Sequence, residues 1–151
     1  MRRLVRLSLV LALALVWASA ARAAESLAAL LDPYFRIQTA LTDDKTDGLK
    51  ADATLIETHA KSLGESGQPI ALAAAELSAA TDLAAARTAF AKLSDAVIAY
   101  SEQTRATTGD DVAAMYCPMT KRSWLQKGTK VKNPYFGKAM PSCGEKKKTV
   151  A

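Results

Sequence analysis

Leu83, Ala86, Phe90, Leu93, Val97 and Tyr100 follow one another at alternating steps of three and four residues, without a break. An α-helix gathers such positions onto one face, whereas a strand would scatter them over both. The spacing predicts a long amphipathic helix, with Thr81-Asp82 supplying its cap. The same period recurs upstream. Leu27, Leu30, Tyr34, Ile37 and Leu41 form one stripe, and Leu49, Ala53, Ile56, Ala60 and Leu63 form another. A third and shorter helix is expected near Pro69, carrying Ile70, Leu72, Ala73 and Leu77. Alanine is abundant and aromatic residues make up 6% of the chain, so the core must be thin and closely packed, which favours helices over strands.

The stops between these stripes set the topology. Asp32-Pro33 reads as a cap followed by proline at the first helical position, giving a firm first helix to Leu41 with a short turn or kink before it. Asp43-Asp44 is expected to open the second helix, its carboxylates facing the positive end of the macrodipole. Gly64 to Gly67 is expected to end it. Short connections favour antiparallel neighbours. The fold class is therefore all-α: an antiparallel up-and-down bundle of about four helices over 27–107, with an irregular Cys/Met-containing C-terminal tail over 110–146 packed on it.

Past Thr107-Thr108-Gly109 the period disappears, and proline, glycine, aromatics and lysine replace alanine. Ala114 to Met119 suits a short extended segment. Asn133-Pro134-Tyr135-Phe136-Gly137 reads as a turn. Tyr116, Trp124, Tyr135 and Phe136 are expected to form a small hydrophobic core for the tail, and Lys146 to Lys148 a frayed, solvated end.

At the other end, Arg2, Arg3 and Arg6 form a positive start, and the stretch from Leu4 to Trp17 is, Arg6 apart, almost wholly apolar, followed by Ala18-Ser19-Ala20 and Ala21-Arg22-Ala23. This is the pattern of a secretory signal peptide over 1–23, cleaved after Ala23, leaving 24–151 as a single domain. The alternative, a membrane anchor, is disfavoured because the run falls short of the ~20 residues needed to span a bilayer. No cysteine lies near the cleavage site to carry a lipid. The mature chain is expected to be periplasmic or secreted, off the membrane, in an oxidising space.

Cleavage removes four of the 20 basic residues, leaving 16 against 15 acidic ones. A nucleic-acid role loses its support, since that needs a basic surface on the mature protein. An asymmetry remains: residues 24–116 hold 14 acidic and 7 basic side chains, whereas 117–151 hold 1 and 9. No catalytic constellation appears. His59, the single histidine, has no recognisable nucleophile paired with it.

The chemistry-bearing residues lie in the tail, as Cys117-Pro118-Met119 and Met140-Pro141-Ser142-Cys143. Thiolates and thioethers are soft donors that select Cu(I) and Ag(I) over hard cations. Cys117 and Met119, two apart, share a face of an extended segment, with Met115 on that face as well. Met140 and Cys143, three apart, suit a turn. A site of three or four sulfurs is thus geometrically open, with Met115 and His59 as weaker ligands. His59 falls one position off the apolar stripe, where a half-buried polar residue is the plainer reading. Neighbouring Lys121, Arg122 and Lys138 favour thiolate over thiol. The alternative is a structural Cys117–Cys143 disulfide. Closing a loop of that length would add on the order of 3.5 kcal/mol by the chain-entropy argument. A CxxC redox motif is absent, and Cys-Pro as a haem ligand is a weak signal.

Tyr116-Cys117-Pro118-Met119, Trp124-Leu125, Asn133-Pro134-Tyr135-Phe136-Gly137, Met140 and Cys143-Gly144 together resemble the signature of the DUF3347 family. Phe90 to Ala96 matches its helical part more loosely. The resemblance spans roughly residues 31–146. It implies a secreted bacterial domain that also occurs at the C-terminus of periplasmic adaptor subunits of copper/silver-type efflux pumps. A heavy-metal efflux adaptor, or another periplasmic protein, is then the implied partner. Cu(I) or Ag(I) is the implied ion, at Cys117, Met119, Met140 and Cys143, with no organic cofactor. The chain departs from the pattern in a shorter Met119–Trp124 stretch. It also lacks the histidine and methionine that some members place between the second and third helices, where it has Gly64 to Pro69. Two expectations follow: a periplasmic binding protein for a soft metal ion in metal tolerance or efflux, or a non-catalytic interaction module of an efflux system with a structural Cys117–Cys143 disulfide.

Overall fold

A computed structural model describes residues 27–106 and 108–147; the signal-peptide expectation falls outside them. Four helices come first: α1 over 27–42, α2 Leu49–Lys61, α3 Gln68–Ser78 and α4 Leu83–Thr104. Three strands follow, β1 Val112–Cys117, β2 Arg122–Lys127 and β3 Glu145–Lys146, in the antiparallel order β2-β1-β3.

The helical stripes bury as their spacing requires. Leu27, Leu30, Tyr34, Ile37 and Leu41 of α1 are fully buried, as are Phe90, Leu93 and Val97 of α4. Asp82 caps α4, its carboxylate accepting from the Ala85 amide at 2.8 Å. Proline stands in the first turn of α3, where a missing N–H costs nothing.

Several boundaries differ from expectation. α1 runs unbroken through Pro33, so Asp32 is an exposed mid-helix residue and not a cap. Pro33 cannot serve the carbonyl of Ala29, but Ala29 is exposed and water can take the place of the missing donor. Asp43-Asp44 does not open α2, which starts at Leu49 behind a left-handed Gly48 with φ 80°. Asp44 instead closes the turn after α1 in a left-handed conformation, φ 57°. α2 ends at Lys61, and Gly64–Gly67 forms a separate 3₁₀ turn. Leu72 falls off the stripe of α3 and is 59% exposed.

The larger difference is in the tail, which carries paired strands within its irregular trace. β1 begins at Val112, earlier than expected, and β2 was not foreseen. Ser123, Trp124, Leu125 and Gln126 are all buried, so β2 shows no polar–apolar alternation. One side of β2 meets α4, and the other is covered by the loop that carries Val131 and Tyr135. Lys146 and Lys147 are not frayed either. Lys146 pairs with Met115, and the Lys147 amide donates to the Ala114 carbonyl at 2.9 Å. Lys148 lies outside the described residues.

Bundle and tail share one core. Met115, Cys117, Trp124 and Leu125 join the same buried cluster as the helical stripes, so the tail aromatics are not a separate small core. Tyr34 is the joint. Its ring lies 5.0 Å from that of Phe90, while its hydroxyl bonds Ser94 Oγ at 2.7 Å and accepts from the Leu125 amide at 3.0 Å. Burial holds this hydroxyl protonated far above its usual range. Tyr34→Phe removes the oxygen but keeps the ring, stranding a strand amide in the core. It should cost about 1–3 kcal/mol in denaturant unfolding, with the loss concentrated in the sheet layer.

The opposite charges of bundle and tail partly meet within the molecule. Arg122 reaches Asp95 at 3.3 Å, and Lys127 reaches Asp32 at 3.7 Å. Both pairs are well exposed and contribute little stability.

Candidate functional site

β1 delivers Cys117 as its last residue. Alternate residues of this strand, Ala113, Met115 and Cys117, turn into the core, and the Cys117 side chain is fully buried. Cys143 arrives from the far end of the tail, in the turn that starts at Met140, and is only half-buried. Their sulfurs stand 3.0 Å apart although 26 residues separate them in sequence.

Two features of the tail create this approach. Asn133, itself fully buried, donates from Nδ2 to the Cys143 carbonyl at 2.6 Å, and its amide donates to the Pro141 carbonyl at 2.9 Å. Its Oδ1 meanwhile accepts from the Tyr135 and Phe136 amides at 2.7 and 3.1 Å. One side chain thus shapes its own turn and holds the cysteine-bearing turn against it. Gly144 then passes beneath Trp124 at φ 153°, where a Cβ would lie 2.8 Å from the indole. Asn133 was read only as part of a turn. Its anchoring role depends on a contact between distant segments that spacing does not reveal.

The remaining sulfurs divide. Met115 shares the face of Cys117, as expected, but is fully buried and opposite Trp124 in the ladder. Met119 does not share that face: β1 ends at Cys117 and the chain turns through Pro118 to Lys121, leaving Met119 64% exposed. Met140 is half-buried at the start of the Cys143 turn. His59 is exposed on α2, which packs on α3. Among the described residues, no three histidine, cysteine or carboxylate side chains gather around one point.

The two thiols are electrostatically unequal. Burial alone would raise Cys117. The Cys143 thiol, the Thr120 amide and hydroxyl and the Met119 amide all favour its anion, and together they bring it from its ordinary 9.0 to about 7. Donating to Cys117 pushes the Cys143 thiol upward, with burial adding to the rise. Thr120 was not foreseen as a site residue; its Oγ1 is buried and forms no hydrogen bond of ordinary geometry among the described residues, so the Thr120 and Met119 amides are the firmer support for the anion.

The reduced pair should therefore lose its first proton with a midpoint near 7, seen as thiolate ultraviolet absorbance. Cys143→Ser should change that midpoint by altering the donor at the Cys117 sulfur. Between about 7 and the ordinary 9.0 the unfolded chain keeps a proton that folded Cys117 has released. Cys117 thus adds stability as pH rises through that window, and the gain disappears as pH falls through about 7. Above 9.0 the raised Cys143 thiol acts in the opposite direction.

Donor chemistry and spacing bear differently on a metal. Two thiolates with nearby thioethers suit a soft ion. Two thiolates on one ion, with metal–sulfur distances of about 2.3 Å, stand roughly 3.8 Å apart in a tetrahedral arrangement. The sulfurs here are closer than that, though well beyond a disulfide bond at about 2.05 Å. In that arrangement ion entry requires them to separate by about 0.8 Å, and by more where the ion takes only two or three ligands. The half-buried turn carrying Cys143 is the part able to yield, since β1 is locked in the core.

Fold and site together define a helical-bundle domain whose β-extension ends in a closed pair of cysteines. Residues 30–109 match the profile of the family described as "Protein of unknown function (DUF3347)", and the chain belongs to that family. The matched segment is the bundle and its exit, and it stops before β1. No curated protein and no solved structure matches the chain.

Proposed function

We infer that this is a non-catalytic periplasmic or secreted domain that binds a soft metal ion, Cu(I) or Ag(I), in metal tolerance or efflux. Cys117 and Cys143 are the primary ligands. The observation that carries the reading is the meeting of two sulfurs from opposite ends of the tail, one of them poised as thiolate near neutral pH. Met140, on the same turn as Cys143, is the best-placed thioether. Met119, exposed beside Cys117, is free to fold over an ion bound there, while Met115 serves the core. The targeting pattern in residues 1–23 and the efflux association implied by the tail signature support the compartment and the ion class. An efflux adaptor is the natural partner of such a domain.

Anaerobic titration of the reduced protein with Cu(I) against a competing chelator tests this. One equivalent should bind with a Kd below about 1 µM. A Cys117→Ser/Cys143→Ser variant should lose at least about tenfold in affinity, a change of 1.4 kcal/mol. Equal uptake by that variant, or none by the parent, refutes the site.

The 3.0 Å separation favours a second reading, in which the pair is a structural disulfide within an interaction module of an efflux system. Mass spectrometry of protein taken from its compartment without reductant separates the two. A quantitative Cys117–Cys143 bridge supports the module, and a free dithiol supports the metal site.

A further inference from the structure

The geometry points to Cys117 and Cys143 as an exchange couple for an external disulfide or dithiol, entered through Cys143, with Cys117 as the buried resolving and leaving sulfur. The inference goes beyond metal binding and holds whether or not an ion is bound. Three observations carry it. Cys117 is fully buried at the end of a core strand, so an external reagent cannot reach it in the folded protein. Cys143 is half-buried in a turn and presents the accessible sulfur of the pair. The two sulfurs are 3.0 Å apart, within reach of each other once Cys143 has reacted.

The steps follow from thiol–disulfide exchange. Cys143, its proton passed to the Cys117 sulfur 3.0 Å away, attacks one sulfur of an external disulfide RSSR as thiolate, forming Cys143–S–S–R and expelling RS⁻, which takes that proton from Cys117. The Cys117 thiolate then attacks Cys143 Sγ, forming the internal bond and expelling a second RS⁻. The protein dithiol is oxidised by two electrons, RSSR is reduced to two thiols, and the two cysteine protons end on those products. In reverse, an external thiolate attacks Cys143 Sγ and Cys117 departs as thiolate into a prepared setting. The Met119 and Thr120 amides favour a negative sulfur there. The co-substrate is identified by this chemistry: a small disulfide or dithiol, or a protein carrying one.

Oxidised glutathione is a suitable probe. The reduced parent should form the internal bridge and release two equivalents of glutathione. Cys117→Ser should stop as a glutathione adduct at Cys143. Cys143→Ser should react at Cys117 about tenfold or more slowly than that, because its sulfur is buried. Competitive alkylation of the unsubstituted reduced protein gives the same reading without relying on either variant to fold. Peptide mapping at limiting reagent should find Cys143 labelled at least about tenfold ahead of Cys117. Equal labelling, preferential labelling of Cys117, or a parent that stops at the glutathione adduct overturns the inference.

Discussion

Replacing Trp124 by alanine should destabilise the protein by about 3–5 kcal/mol, the range for emptying a fully buried aromatic site. Trp124 is the largest of the fully buried side chains. Its ring meets Tyr135 edge-on at 5.8 Å, and its Nε1 donates to Gln126 Oε1 at 3.1 Å. Gly144 lies directly against the indole, and the ladder sets Met115 opposite. The cavity would open between the strand that ends in Cys117 and the turn that carries Cys143. Denaturant unfolding measures the loss. Any protein that remains folded should also form the internal bridge more slowly under oxidation, because the indole supports the segment that brings the second sulfur in. A loss below about 1 kcal/mol would mean that the tail does not share the bundle core.

Gly137→Ala should cost about 3 kcal/mol. Gly137 is left-handed at φ 53°, which a Cβ penalises by about 1–2 kcal/mol. The added methyl would also run into the Asp44 carboxylate and the Arg87 guanidinium. Those groups form the second joint between tail and bundle. Arg87 donates to Asp44, to the Leu41 carbonyl at 3.1 Å and to the Pro134 carbonyl at 2.9 Å, while Asp44 faces the Lys138 amide. Displacing them weakens charge-assisted bonds that contribute about 1.5–3 kcal/mol where partly buried. Thermal unfolding monitored by tail tryptophan fluorescence should show the sheet layer loosening before the helices. Gly48→Ala is the contrast: φ is also positive there, but nothing lies near the added methyl, so only the backbone penalty applies.

The helices were legible because their period was. The Leu83–Tyr100 stripe, the Asp82 cap and the proline that opens α3 each carry a local signal that tertiary contacts do not overrule. Asp43-Asp44 misled because an acidic pair suits a helix start, yet Asp44 also tolerates the left-handed turn that closes α1 and is held there by Arg87. β2 was hidden for a different reason. A strand buried on both faces has no alternation, and Ser123 and Gln126 within it look like surface residues. At the site, both sequence readings, the soft-metal site and the disulfide, bring Cys117 and Cys143 together, and their sulfurs do meet. The roles of Thr120 and Asn133 were not, since each depends on segments brought together only by the folded tail. Met119 was misplaced by the turn that follows Cys117, which removes it from the face shared by Met115.

The most direct test of the metal site is X-ray absorption at the copper edge on reduced protein loaded with one equivalent of Cu(I). The account predicts a shell made of sulfur, with two thiolates at about 2.2–2.3 Å and any further ligand a thioether. A shell dominated by nitrogen or oxygen, or a sulfur shell unchanged when Cys117 and Cys143 are both serine, would contradict it.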